Sequence, residues 1–149
     1  MILAALLLAQ AATPACPTTP VALPAELAGW RMSGDDLTSG RAVTIDTWDP
    51  ATVRMHDVPL PKQPGRAAHQ VFRIAKSGTY GIAIDQKGWI DLYRIRETTA
   101  IASVTHGHGP ACSGIRKIVR FALTPGEYQV VVGGLADARA KLLLVRDPT

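Results

Sequence analysis

Two histidines two residues apart, His106 and His108, sit in a run Thr105-His-Gly-His-Gly-Pro-Ala-Cys112. In an extended segment, side chains two apart project to the same side, so both imidazoles can converge on one metal ion. A catalytic zinc site takes three protein ligands. His69 is the expected third, with His56, Asp85 and Asp91 as alternatives. No cofactor is required by these residues; zinc, copper and iron are the candidates if a metal is held. Arg116 and Lys117 follow closely, and positive charge disfavours a cation site. The same segment therefore supports a second chemistry. Gly107, Gly109 and Gly114 permit a turn that exposes backbone N–H groups, and Arg116 or Lys117 can complete a pocket for carboxylate or phosphate. His106, His108 and Arg116 are the expected ligand-binding residues. If Arg116 and Lys117 both lie in a strand, alternation turns only one of them toward such a pocket.

Nucleophilic catalysis has little to work with. Ser103 and Ser113 neighbour the histidines in sequence, but no Gly-x-Ser-x-Gly elbow occurs, and no catalytic residue is assigned. The chain has 2 cysteines, Cys16 and Cys112. In an oxidising compartment such a pair usually forms a disulfide, which here would tie the start of the mature chain to the histidine loop. Lipidation of Cys16 is the alternative, although Thr13 stands where a lipobox expects Leu. Trp30, Trp48 and Trp89, with Tyr80, Tyr93 and Tyr128, can stack on sugar rings if exposed together and otherwise pack in the core.

The elements that must position these groups begin after an apolar leader. Residues 1–12 carry no charged side chain and include Ala9-Gln10-Ala11, a small-x-small site, which reads as a signal peptide. The expected location is therefore periplasmic or secreted. No later segment has the roughly 18 apolar residues that a spanning helix needs, so the mature chain is expected not to span a membrane. The formal charge of +4 comes from 16 Lys and Arg scattered among 12 acids, without the concentrated footprint that nucleic acid requires. The expected partners are a small molecule or an envelope protein or polysaccharide.

Residues 13–40 are rich in Pro, Ala, Gly and Ser and read as an extended arm with a short helical turn near Pro24 to Leu27. Residues 41–149 read as one domain of short strands closed by turn residues. The expected strands are Ala42 to Trp48, Thr52 to Val58, His69 to Ile74, Tyr80 to Asp85, Trp89 to Ile95, Ala100 to Thr105, Ile115 to Leu123, Tyr128 to Val132 and Lys141 to Val145. Tyr80, Ile82 and Ile84 share one face, as do Ile115, Lys117, Val119 and Phe121; this period of two predicts antiparallel sheets with one face wet. Pro59, Pro61 and Pro64 predict a long loop. The fold class is all-β, a single jelly-roll-like antiparallel sandwich.

The runs Val71 to Tyr80, Ile90 to Tyr93 and Phe121 to Tyr128 resemble the pre-peptidase C-terminal domain, a secreted jelly-roll-like sandwich attached to bacterial hydrolases. That resemblance implies an accessory or binding module. Cys16 to Pro24 together with His106 to Cys112 resemble a group of small exported bacterial proteins, some of which are labelled homogentisate dioxygenase. The label implies iron held by two His and one carboxylate in a cupin. At the place of the cupin carboxylate this chain has Cys112 and Ser113. The expected function is a non-catalytic periplasmic binding or accessory module, with a metal-binding protein or metal-dependent dioxygenase using His106 and His108 as the alternative.

Overall fold

The structure, a computed structural model, describes residues 12–148. The signal peptide expected over residues 1–12 lies, apart from Ala12, outside the described residues. Eight strands follow the arm: β1 (Val43–Asp46), β2 (Arg66–Ile74), β3 (Gly78–Ile84), β4 (Trp89–Arg94), β5 (Thr105–Gly107), β6 (Lys117–Leu123), β7 (Gly126–Leu135) and β8 (Arg139–Arg146). They form two antiparallel sheets, one ordered β1-β8-β3-β6-β5 and the other β2-β7-β4. The chain is an all-β sandwich.

Its connectivity follows from folding one long ribbon back on itself. β1 pairs with β8, β2 with β7 and β3 with β6, the nested antiparallel pairing of a rolled ribbon with jelly-roll character. A fourth nested pair would join β4 to β5. Instead β5 pairs with β6. The chain between them crosses from one sheet to the other: the Ile101 amide donates to the Leu92 carbonyl at 2.7 Å and the Val104 amide to the Arg120 carbonyl at 2.8 Å. This crossing is why the strand expected over Ala100 to Thr105 is displaced to Thr105–Gly107.

Alternation supplies the layer between the sheets. Tyr80, Ile82 and Ile84 of β3 meet Val119, Phe121 and Leu123 of β6, and across the layer Phe72, Leu92, Tyr128, Val130 and Val132 face them, all buried. The two core tyrosines keep their hydroxyls satisfied locally. Tyr80 donates to the Lys76 carbonyl and Tyr128 to the Thr124 carbonyl, each at 2.7 Å, which also pins the turns at Ser77-Gly78 and Thr124-Pro125-Gly126.

The opposite face of the larger sheet is not wet as the alternation predicted. Ala83, Ile118, Leu143 and Val145 turn outward there and are covered by Leu27, Trp30 and Ala42. The arm is thus more than an extended tether: Ala25–Arg31 forms a 3₁₀ turn that presents Leu27 and Trp30 inward, and Lys141 caps the exposed side of the Trp30 ring at 4.6 Å. Cys16 is joined to Cys112 across 96 residues, with the Cα atoms 5.5 Å apart.

The strand expected over Thr52 to Val58 does not form. The Asp49 carboxylate accepts from the Ala51 amide, and the Asp49 carbonyl accepts from the Thr52 and Val53 amides, winding the chain into a turn; Pro59, Pro61 and Pro64 then offer no ladder donors. This loop lies across the outer face of the smaller sheet. A Cβ at Gly133 would come 2.7 Å from the Pro61 Cβ, so the glycine lets the loop rest on the strand backbone.

Two outcomes test this arrangement. Trp30→Ala is expected to cost about 3–5 kcal/mol, as for other buried Trp truncations, measured by urea unfolding with Cys16–Cys112 intact; a cost below 1 kcal/mol would mean that the arm does not cover the sheet. Cys16→Ser with Cys112→Ser is expected to cost about 2–5 kcal/mol. Alkylation before and after reduction checks the bond itself, with labelling expected only after reductant.

Candidate functional site

The side of the sandwich that lacks a β4–β5 pair carries a cleft of about 760 Å³. Five parts of the chain build it. The β3–β4 turn brings Lys87, Gly88 and Trp89; β5 and the residue after it bring His106, Gly107 and His108; the approach to β6 brings Arg116 and Lys117; Gln63, Pro64 and Gly134 close the far wall. No Asp or Glu is among these lining residues.

The histidine loop is positioned by packing and covalency together. β5 hydrogen-bonds with β6 from Thr105 to Gly107. Beyond it the chain folds tightly: the Ser113 amide donates to the Pro110 carbonyl at 3.1 Å and the Ile115 amide to the Ser113 hydroxyl at 3.0 Å. Ile115 then packs with Leu27 and Trp30 under the arm. Gly109 is required by this packing, because a Cβ there would lie 2.4 Å from the Ile115 Cβ. Cys112, next to these residues, fastens the loop to Cys16. His108 turns its Nδ1 toward the Arg116 carbonyl at 3.2 Å, which spans the loop at its neck.

Arg116 and Lys117 both line the cleft. β6 begins only at Lys117, so Arg116 belongs to the incoming loop, its amide donating to the Ile84 carbonyl at 2.7 Å, and strand alternation does not separate the two. Lys117 lays its ammonium 5.5 Å from the centre of the Trp89 ring and donates to the Gly88 carbonyl at 3.2 Å. Trp89 is 48% exposed, whereas Trp30 is buried between the arm and the larger sheet; the expected aromatic platform reduces to one indole at this cleft. Of the three glycines expected to offer backbone donors, only Gly107 lines the cleft. The cations here are side chains. Lys87 escaped the sequence reading, although the turn between the strands at Tyr80 to Asp85 and Trp89 to Ile95 placed it at a sheet end.

The expected three-histidine metal set does not assemble. His69 lies on β2, and its Nε2 donates to the Gln129 Oε1 at 3.0 Å on the face of the smaller sheet away from the core. Of the alternatives, the Asp85 carboxylate accepts from the Lys141 amide, Asp91 accepts from the Trp89 indole and pairs with Lys62 at 3.8 Å, and the exposed His56 is not among the residues lining the cleft. Among the described residues no three His, Cys, Asp or Glu side chains surround a common point. The two-His, one-carboxylate iron set implied by the dioxygenase label therefore does not fit the cleft, which offers two imidazoles and no carboxylate.

The chain matches no family model, no curated protein and no solved structure. The chemistry of the cleft itself carries the functional reading.

His69 makes a separate, measurable contribution. Burial disfavours its charged form and lowers its pKa from the ordinary value, the hydrogen bond with Gln129 opposing this. The unfolded chain takes up a proton at about pH 6.5 and below, while the folded chain resists it, so stability is full above that pH and declines as pH falls toward the lower folded value. The urea midpoint is expected to drop between pH 7.5 and pH 5, and less steeply in His69→Gln. Equal slopes would remove the assignment.

Proposed function

We propose that this sandwich is a non-catalytic periplasmic or secreted binding module whose cleft takes a small anionic ligand, a carboxylate or phosphate compound free in solution or borne by an envelope component. The observation that carries this reading is the charge of the cleft wall: Lys87, Arg116 and Lys117 with the imidazoles of His106 and His108, and no lining carboxylate. A unit charge 4 Å from a cation is attracted by about 4 kcal/mol at an effective dielectric constant of 20. Lys87 and Arg116 are exposed, so solvent and salt reduce each such attraction, but three cations of one sign around one cleft favour an anion over a metal ion. The cleft volume falls in the range of about 300–1,000 Å³ found for small-molecule sites.

The lining also bears on catalysis. It contains no Ser, Thr, Cys, Asp or Glu; Ser103 shares an adjoining recess with His106, but no carboxylate lines either cavity to orient the imidazole as a base. The cysteines of the described chain are joined to each other, which fits an oxidising compartment and a module that is recruited rather than reactive.

Inorganic phosphate and citrate titrated calorimetrically into the protein test the reading. Binding is expected for one or both, with Arg116→Ala and Lys87→Ala each weakening it about tenfold or more, as for loss of a charge-assisted hydrogen bond. Absence of binding, or affinities untouched by both substitutions, would sink the anion reading. Stoichiometric zinc, copper or iron in protein purified without a His tag would favour the metal alternative in its place.

A further inference from the structure

Beside the cationic cleft lies a second, smaller recess of about 130 Å³, lined by Trp89, Ile90, Ser103, His106, Lys117 and Val119. Its origin is the same missing strand pair. β4 and β5 are not hydrogen-bonded to each other, and the crossing segment seals the gap with Ile101, which packs against the core. Above that seal the space between the sheets is floored by Ile90 and Val119, both buried members of the core layer. The recess is a window onto the hydrophobic layer, with exposed Ser103 at its rim.

The two cavities have three walls in common: Trp89, His106 and Lys117. To these shared residues the recess adds Ile90, Val119 and Ser103, so core side chains are reachable directly beside the cationic wall. An anion paired with Lys117 stands where the two cavities meet. Any carbon skeleton it carries has an apolar compartment within reach.

Resting on the anionic reading of the cleft, we infer that the ligand is a small carboxylic acid with a compact apolar tail, its carboxylate held by Lys117 and Arg116 and its tail entering the recess against Ile90 and Val119. The recess is slightly smaller than the engineered apolar cavity of about 150 Å³ that takes benzene, so it suits a branched group of about four to six carbons and has no room to bury more of a longer acyl chain. The fold thereby sets both halves of the specificity: the loop entering β6 supplies the charge, and the unclosed sheet edge supplies the apolar volume.

The test is a titration series with acetate, 3-methylbutanoate, 4-methylpentanoate and decanoate, followed by NMR with citrate as the reference anion. 3-Methylbutanoate or 4-methylpentanoate is expected to bind about tenfold or more tighter than acetate, the gain that burial of a few methylene equivalents gives, with no further gain for decanoate. The methyl resonances of Ile90 and Val119 are expected to shift with the branched acids and not with acetate. Ser103→Phe, which places a ring in the recess, is expected to bring the ratio of branched acid to acetate down to about one. Equal affinities for acetate and the branched acids in a protein that binds citrate would overturn the tail assignment and leave the anionic cleft standing. Unmoved Ile90 and Val119 methyls would do the same. Failure of citrate, phosphate and every acid in the series to bind would overturn both.

Discussion

The larger sheet has to be dehydrated on both of its faces, and most of the molecule is a response to that demand. β3 and β8 bury side chains in consecutive positions, so packing against the smaller sheet satisfies only half of their apolar surface. The remaining half is covered by Leu27, Trp30 and Ala42. A segment bearing so few apolar side chains cannot hold its place by burial alone once the entropy of ordering it is counted. The bond between Cys16 and Cys112 lowers that entropic cost. Because Ile115 packs under the same arm, cover, bond and histidine loop form one continuous body, and the placement of Arg116 depends on the burial of Trp30.

Where the ribbon of nested pairs is left incomplete, the cationic cleft appears. β5 has only three residues, all exposed, and contains a glycine and a histidine in place of the β-branched residues that favour long strands. Such a strand adds little to the sheet it joins. What it does provide is separation between two sheet edges, so that side chains from the β3–β4 turn and from the approach to β6 converge without being packed flat. Irregularity at this edge is the structural origin of both the cleft and the recess beside it.

The sequence announced the sandwich through residues whose roles are local. The alternation of Tyr80, Ile82 and Ile84, the turns at Ser77-Gly78 and Thr124-Pro125-Gly126, and the cysteine pairing all appear in the structure as the pattern implied. What failed was the contest between strand propensity and turn residues, and the long-range placement of side chains. Thr52 to Val58 has β-branched residues, yet the Asp49 turn and three prolines outweigh them. Nothing in the spacing of His69 relative to His106 and His108 discloses that a β2 side chain faces away from a β5 strand in the other sheet. Arg116 and Lys117 converge only because the strand starts two residues later than the expected Ile115. Lys87 joins them through tertiary folding, which no local pattern encodes.

The covalent circuit also has a mechanical consequence. β1 through β5 lie between Cys16 and Cys112, whereas β6, β7 and β8 lie outside the ring. A pull applied to the two ends is passed directly from one sulfur to the other, so the enclosed strands bear no extension along their own contour. Fully stretched, a 96-residue stretch would span roughly 320–350 Å, and that length stays hidden from any force until the sulfurs part. The lysine- and arginine-bearing wall of the cleft spans this divide, with Lys87 inside the ring and Arg116 just beyond it. Tension would therefore load one side of the cleft before the other.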